Sequence, residues 1–188
     1  MKASIQQLES SVNKQNQYNL RNEIEIAGVD ESESESLQHI ATLVSKKVGV
    51  NLKEEDVDEI TRVGPKRGSN SRQAPSKDLL PRTIVVKLVR RTKRNEILQA
   101  AKIRRNLTSD GIVEGPSKKL YINERLTKDT RLLFRDARQR SRQHGFRFCW
   151  IRDGTIQIRQ EEKRPAITIR SSDDLDKHLG PMSAPNSA

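Results

Sequence analysis

The dipeptide Asp153-Gly154 lies between two runs, FCWIR and TIQIR, in which residue character alternates along the chain. An Asp-Gly pair accepts the positive φ angles of a two-residue hairpin turn, so the flanking runs are expected to pair as antiparallel strands. The turn also fixes the register: Arg152 stands opposite Thr155, and each side chain beyond them is assigned to a face. One face carries Cys149, Ile151, Ile156 and Ile158; the other carries Phe148, Trp150, Arg152, Gln157 and Arg159.

Two readings of the second face compete. As a solvated surface of flat rings and guanidinium groups it suits single-stranded nucleic acid, because rings stack on unpaired bases while arginines neutralise phosphates. As core, Phe148 and Trp150 would be buried as large aromatics usually are, and Phe146 is assigned to the core on either reading.

A helix of about four turns is expected just before the hairpin, with Thr127 as N-cap, Asp129 meeting the helix dipole in the first turn, and Gly145 as the stop. Along it Arg131, Arg135, Arg138 and Arg142 recur at steps of four, three and four, which holds them in one narrow stripe. Leu133, Phe134 and Ala137 are expected to face elsewhere and pack.

Charge distribution bears on the partner. Of the net charge of +11, residues 1–60 contribute −6, 61–117 contribute +10, 118–170 contribute +9 and 171–188 contribute −2. A polyanion is the natural partner for the middle and C-terminal parts, and nucleic acid fits better than a membrane because no segment joins a strong apolar face to basic flanks. With 32% hydrophobic residues in 188, two small cores plus solvated tails are expected. Cys149 is the sole cysteine, which excludes an internal disulfide and a cysteine-based zinc site. No apolar run reaches the ~18 residues of a membrane span and no signal-peptide core is present, so a cytoplasmic or nuclear location is expected.

In chain order, Ile5, Leu8 and Val12 form a short coiled-coil seam, either the end of an oligomerising helix or a frayed leader. Residues 22–29 read as a strand, Ser36 as the cap of a helix ending near Gly49, and 57–63 as a second strand. Residues 64–81 are rich in Gly, Pro and Ser and read as a long mobile loop carrying Arg67 and Arg72. Residues 82–90 form the clearest strand; Thr92 is expected to cap the next helix, and 119–123 to supply one more strand. The order β-α-β-β-α-β is the split plan of ferredoxin-like and RRM domains. A standard RRM stacks bases on aromatics of its first and third strands, and here those strands have none. Any RNA contact of this domain is therefore expected from charge, through Arg62, Arg67, Arg72, Arg82, Lys87 and Arg90. After the hairpin, residues 166–170 read as a strand, Ser172-Asp173-Asp174 as the start of a short helix, and 181–188 as a disordered tail.

The segments LRNEIEIAGV, RTIVVKLVRRTKRNEILQAA, LYINERLTKDTRLLFRDAR, WIRDGTIQIR and IRSSDDL, in this order, resemble the first-ORF protein of LINE-type retrotransposons and its relative, the baculovirus few-polyhedra (FP) protein. The resemblance spans about residues 5–180 and is closer to the FP-like branch, since the coiled coil is nearly absent. It implies an oligomerising helix, a noncanonical RRM and a C-terminal domain that bind single-stranded RNA or DNA with little sequence preference. In the retrotransposon members it also implies chaperone activity. By position it implicates Arg67, Arg72, Lys87, Lys102, Arg135 and Arg152.

The fold expected is α+β: a coiled-coil remnant over 1–19, an RRM-like domain over 20–123, a small C-terminal domain over 124–180, and the tail. The function expected is non-enzymatic binding of single-stranded RNA or DNA, with a homo-oligomer formed through Ile5, Leu8 and Val12, and without cofactor, metal or membrane. The alternative is a protein-interaction or viral assembly factor recruited through that same helix. An enzyme is disfavoured because His39, His144 and His178 lie in separate helices with no paired nucleophile.

Overall fold

A computed structural model describes residues 2–64, 81–104 and 106–180 of the chain. It is an α+β protein of two compact units, one formed by residues 22–125 and the other by residues 1–21 together with 126–188. Arg67 and Arg72, like the expected tail, lie outside the described residues.

The unit of residues 22–125 is built from β1 (Glu23–Ala27), α2 (Leu37–Lys47), β2 (Val57–Val63), β3 (Thr83–Leu88), α3 (Arg91–Ile103) and β4 (Tyr121–Glu124). Its sheet has the order β2-β3-β1-β4 with every neighbour antiparallel, so each β-α-β segment brackets one strand of the other. Alternation places Ile24, Ile26, Ile84, Val86 and Leu88 in the core, where Ile40, Ala41 and Val44 of α2 and Ile97 and Leu98 of α3 complete it. Ser36 caps α2 as expected, its hydroxyl accepting from the His39 amide at 3.3 Å. The expected cap at Thr92 is corrected to Arg90: α3 starts at Arg91, two residues before a helix capped by Thr92 would, and the Arg90 guanidinium is held by Asp56 at 2.6 Å. At Gly28, φ is +93° and a Cβ would meet the Lys119 carbonyl oxygen at 2.1 Å, so only glycine lets β1 end there.

The second unit holds α1 (Lys2–Asn19), α4 (Lys128–Gln143), β5 (Phe148–Arg152), β6 (Thr155–Arg159), β7 (Ile167–Ile169) and α5 (Ser172–Leu179). Its sheet runs β5-β6-β7, all antiparallel. Ile156, Ile158, Ile169, Ala137, Leu175 and Leu179 are its buried core, with Phe146, Cys149 and Ile151 packed against it. Ser171 caps α5 by accepting from the Asp174 amide at 3.2 Å.

The N-terminal helix, expected to stand apart as a coiled-coil remnant, groups instead with this unit. Two side chains anchor it at the start of α4: the Thr127 hydroxyl donates to Asn13 Oδ1 at 2.7 Å, and the Thr127 amide donates to Gln17 Oε1 at 3.0 Å. The second satisfies a backbone amide at a helix N-terminus that has no intrahelical partner for it. Ile5, Leu8 and Val12 remain 53%, 64% and 56% exposed.

Candidate nucleic-acid interface

α4 begins where Thr127 Oγ1 accepts from the Thr130 amide at 3.2 Å, with Asp129 in the first turn, and ends at Gln143 before Gly145. Thr130, Ala137, Arg140 and Ser141 form its buried side, with Leu133 and Phe134 partly buried beside them. The opposite side therefore carries the arginine stripe. Arg131, Arg135, Arg138 and Arg142 are all exposed and line one open groove of about 730 Å³ with Phe134, Gln139 and Gln143. Arg140, although in the same run of cations, turns inward: its guanidinium donates to Asp176 and, at 3.0 Å, to the Gly180 carbonyl, clasping α4 to α5.

Phe134 corrects one expectation. It packs on the core and also floors the groove, with the Arg138 guanidinium 5.5 Å from its ring centroid. Its position, three after Arg131 and four before Arg138, places it in the stripe; apolar identity alone pointed to the core.

In the hairpin, Asp153 and Gly154 have φ of 52° and 71°, the two positive angles of a type I′ turn. The register is the expected one: Arg152 pairs with Thr155, Trp150 with Gln157 and Phe148 with Arg159. Ile156 and Ile158 are buried, whereas Phe148 and Trp150 are half-buried on the other face. Arg159 lies over both rings, 4.9 Å from the Phe148 centroid and 5.5 Å from that of Trp150. Such pairing fits the cross-strand neighbour relation, and a planar guanidinium stacks where an ammonium cannot. A hollow of about 330 Å³ opens there, lined by Arg147, Phe148, Cys149, Trp150 and Arg159.

Cys149, between Phe148 and Trp150 in sequence, packs on the core side of β5. Burial pushes its thiol up from the ordinary range, while the neighbouring Ser141 hydroxyl and the Arg138 charge pull it back. Arg152 is exposed at the far end of β5.

The cations expected in the other unit behave differently. Arg62 is withdrawn from any interface: its side chain is 3% exposed. Its Nε and one terminal nitrogen donate to Glu35, and the remaining donors reach the carbonyls of Val29, Asp30 and Arg82 at 3.1, 3.0 and 2.6 Å. Five donors and five acceptors leave nothing for a phosphate. Arg82 holds Glu31 through its backbone amide at 2.9 Å and Nε at 2.8 Å, and that hydrogen bonding keeps the Glu31 carboxyl below its ordinary range. Lys87 is paired with Asp58 at 2.6 Å, and Arg90 with Asp56. Lys102 is exposed in the last turn of α3.

Sequence reasoning missed five lining residues, Phe134, Gln139, Gln143, Arg147 and Cys149. The two glutamines follow Arg135 at four and eight residues, a spacing that signals the same face; Arg147, just before β5, carried no such signal. Among the described residues no group of three or more His, Cys, Asp or Glu side chains is placed to hold a metal ion, and no helix is long and apolar enough to cross a membrane.

No curated protein matches the chain. Residues 127–179, which run from the N-cap of α4 to the last residue of α5 and so contain both groove and hollow, match the family described as Baculovirus FP protein domain 2.

Proposed function

We propose that the unit formed by α1 and residues 126–180 binds single-stranded RNA or DNA without catalysing a reaction, and with little sequence preference. The observation that carries this reading is the presence in one unit of an open groove lined by four arginines of α4 and of a pair of half-buried rings beneath Arg159 on the hairpin. Cations that follow a backbone, next to rings that stack on any base, are what sequence-tolerant single-strand binding requires. Arg131, Arg135, Arg138 and Arg142 take the phosphates, and Phe148, Trp150 and Arg159 take the bases.

The other unit contributes less on this reading, because Arg62, Arg82 and Lys87 are committed to acids of the same unit. Its strand order supports a noncanonical RRM-like domain, with Lys102, Arg67 and Arg72 as its remaining contacts by resemblance. The match over residues 127–179 supports kinship with FP proteins; kinship with LINE first-ORF proteins, chaperone activity and a cytoplasmic or nuclear location belong to the same proposal, by sequence resemblance alone. A second reading, a factor that recruits a protein through α1, is favoured by the exposure of Ile5, Leu8 and Val12.

The test is an electrophoretic-mobility titration at two salt concentrations with single- and double-stranded RNA and DNA. Single strands should bind more tightly, with affinity falling as salt rises. Equal affinity for both forms with the same salt slope overturns the proposal, and a protein complex through α1 that survives high salt supports the second reading.

A further inference from the structure

One aromatic residue outside the hairpin forms a closer ring–guanidinium pair than any within it. Tyr18, in the last turn of α1, is 61% exposed, and the Arg21 guanidinium lies 4.1 Å from its ring centroid. The Arg21 terminal nitrogen donates to the Tyr18 carbonyl at 3.1 Å, which tethers the cation to that turn. A large exposed ring whose cation is already fixed beside it is organised as a stacking surface and adds nothing to a core. Tyr121 of the other unit, although 50% exposed, has only the Lys119 ammonium at 5.8 Å, a point charge that cannot stack.

The residue before Tyr18 fixes where this pair sits. Gln17 accepts from the Thr127 amide, and its side chain lies against Gly154, so close that a Cβ on Gly154 would come within 2.8 Å of it. Gln17 is thus seated between the start of α4 and the hairpin turn. Trp150 lies three residues before the turn residue Asp153 on β5, about 10 Å at ~3.3 Å per residue, with exposed Arg152 between them. A few nucleotides, at ~3.4 Å or more each, bridge that interval.

We propose that Tyr18 and Arg21 form an additional base-stacking station on the single-strand path, one that continues past Trp150 and Arg152 to the end of α1. The base lies on the tyrosine–guanidinium pair, and Arg21 neutralises the adjoining phosphate. This inference rests on the single-strand reading of the same unit, and it makes α1 part of the binding surface as well as a helix packed on α4.

The test compares the full chain with its Tyr18→Leu, Tyr18→Phe, Arg21→Ala and Trp150→Ala variants. The probes are single-stranded RNAs of about 4 and about 16 nucleotides, the ends of the footprint range of small single-strand-binding domains. Binding is read by mobility shift and by the fluorescence of Trp150, the only tryptophan. Tyr18→Leu should weaken the long RNA about 5- to 150-fold, the range for one lost base stack, and leave the short RNA and its quenching of Trp150 unchanged. Tyr18→Phe should bind like wild type, and Arg21→Ala should lower the salt slope for the long RNA by ~0.7. Thermal melts exclude unfolding; if Tyr18→Leu melts early, the ring-preserving Arg21→Ala decides. If Tyr18→Leu binds the long RNA as wild type does while Trp150→Ala is weakened, the pair is only a local clasp and this inference fails alone. Equal losses for Tyr18→Phe and Tyr18→Leu overturn stacking in favour of the phenol hydroxyl. If wild type binds neither RNA, the single-strand reading fails and this one with it.

Discussion

Two regions of nearly equal charge, +10 over residues 61–117 and +9 over 118–170, use their cations in opposite ways. In the first, Arg62, Arg82, Lys87 and Arg90 are each paired with an acid of the same unit, all four acids preceding β2 or lying in it. In the second, Arg131, Arg135, Arg138 and Arg142 of α4 face outward while Arg140 turns inward; Arg135, 73% exposed, meets its neighbour Asp136 at 3.4 Å. Residues 1–60, with their excess of acids, offset much of the first block's charge, whereas the arginines that line the α4 groove stand exposed. A count of cations thus measures binding capacity poorly until their partners are known.

The largest expected effect tests the buried member of the contrast. Arg62→Ala leaves Glu35 and three carbonyls without their donor, and losing one partner of a buried pair costs about 3–5 kcal/mol. Thermal melts should show residues 22–125 destabilised while the salt slope of single-strand binding stays unchanged. A lowered slope with no loss of stability would erase the distinction between the regions.

Next in size, Trp150→Ala should weaken single-strand binding by about 1–3 kcal/mol with the salt slope nearly constant, because stacking releases no counterions. If the variant unfolds while Cys149→Ser and Ile158→Thr do not, the aromatic face is core and the faces are exchanged.

Arg135→Ala should lower the salt slope by ~0.7, the share of one phosphate contact on a single strand, without moving the melting temperature. Lys87→Ala, its counterpart in the other region, should change neither slope nor melt appreciably, since half-exposed pairs contribute about 0–1 kcal/mol.

The smallest effect is a pH dependence confined to the first region. A hydrogen bond from Arg90 holds Asp56 below its ordinary range, as one from Arg82 does for Glu31. For depressed carboxylates the stabilisation is complete above the unfolded pKa near ~4 and is lost as pH falls through the lower folded value. Melts recorded across that interval should steepen below pH ~4, and Asp56→Asn should flatten the profile.

Local chemistry was legible where neighbours in sequence decide the outcome. Asp153-Gly154 specified the turn, and alternation then separated Ile156 and Ile158 from Phe148 and Trp150 correctly. Thr127, Ser36 and Gly145 likewise marked their helix ends. What stayed hidden depends on partners distant in the chain. Arg62 resembles a free strand cation until Glu35, 27 residues away, closes on it. Arg138 and Arg140 are two residues apart and indistinguishable by type, yet one faces the groove and the other clasps α5, because a helix turns by about 200° between them. The attachment of α1 rests on Asn13 and Gln17, polar residues whose pairing with Thr127 no periodicity announces.

The placement of Arg159 over Phe148 and Trp150 has a colloidal consequence. Bare aromatic faces on a protein surface are adhesive, and two copies would tend to meet ring against ring. Here each copy presents a fixed positive charge at that spot, so like charges confront one another before the rings touch. The same guanidinium that covers the rings therefore makes this patch repel its own copy.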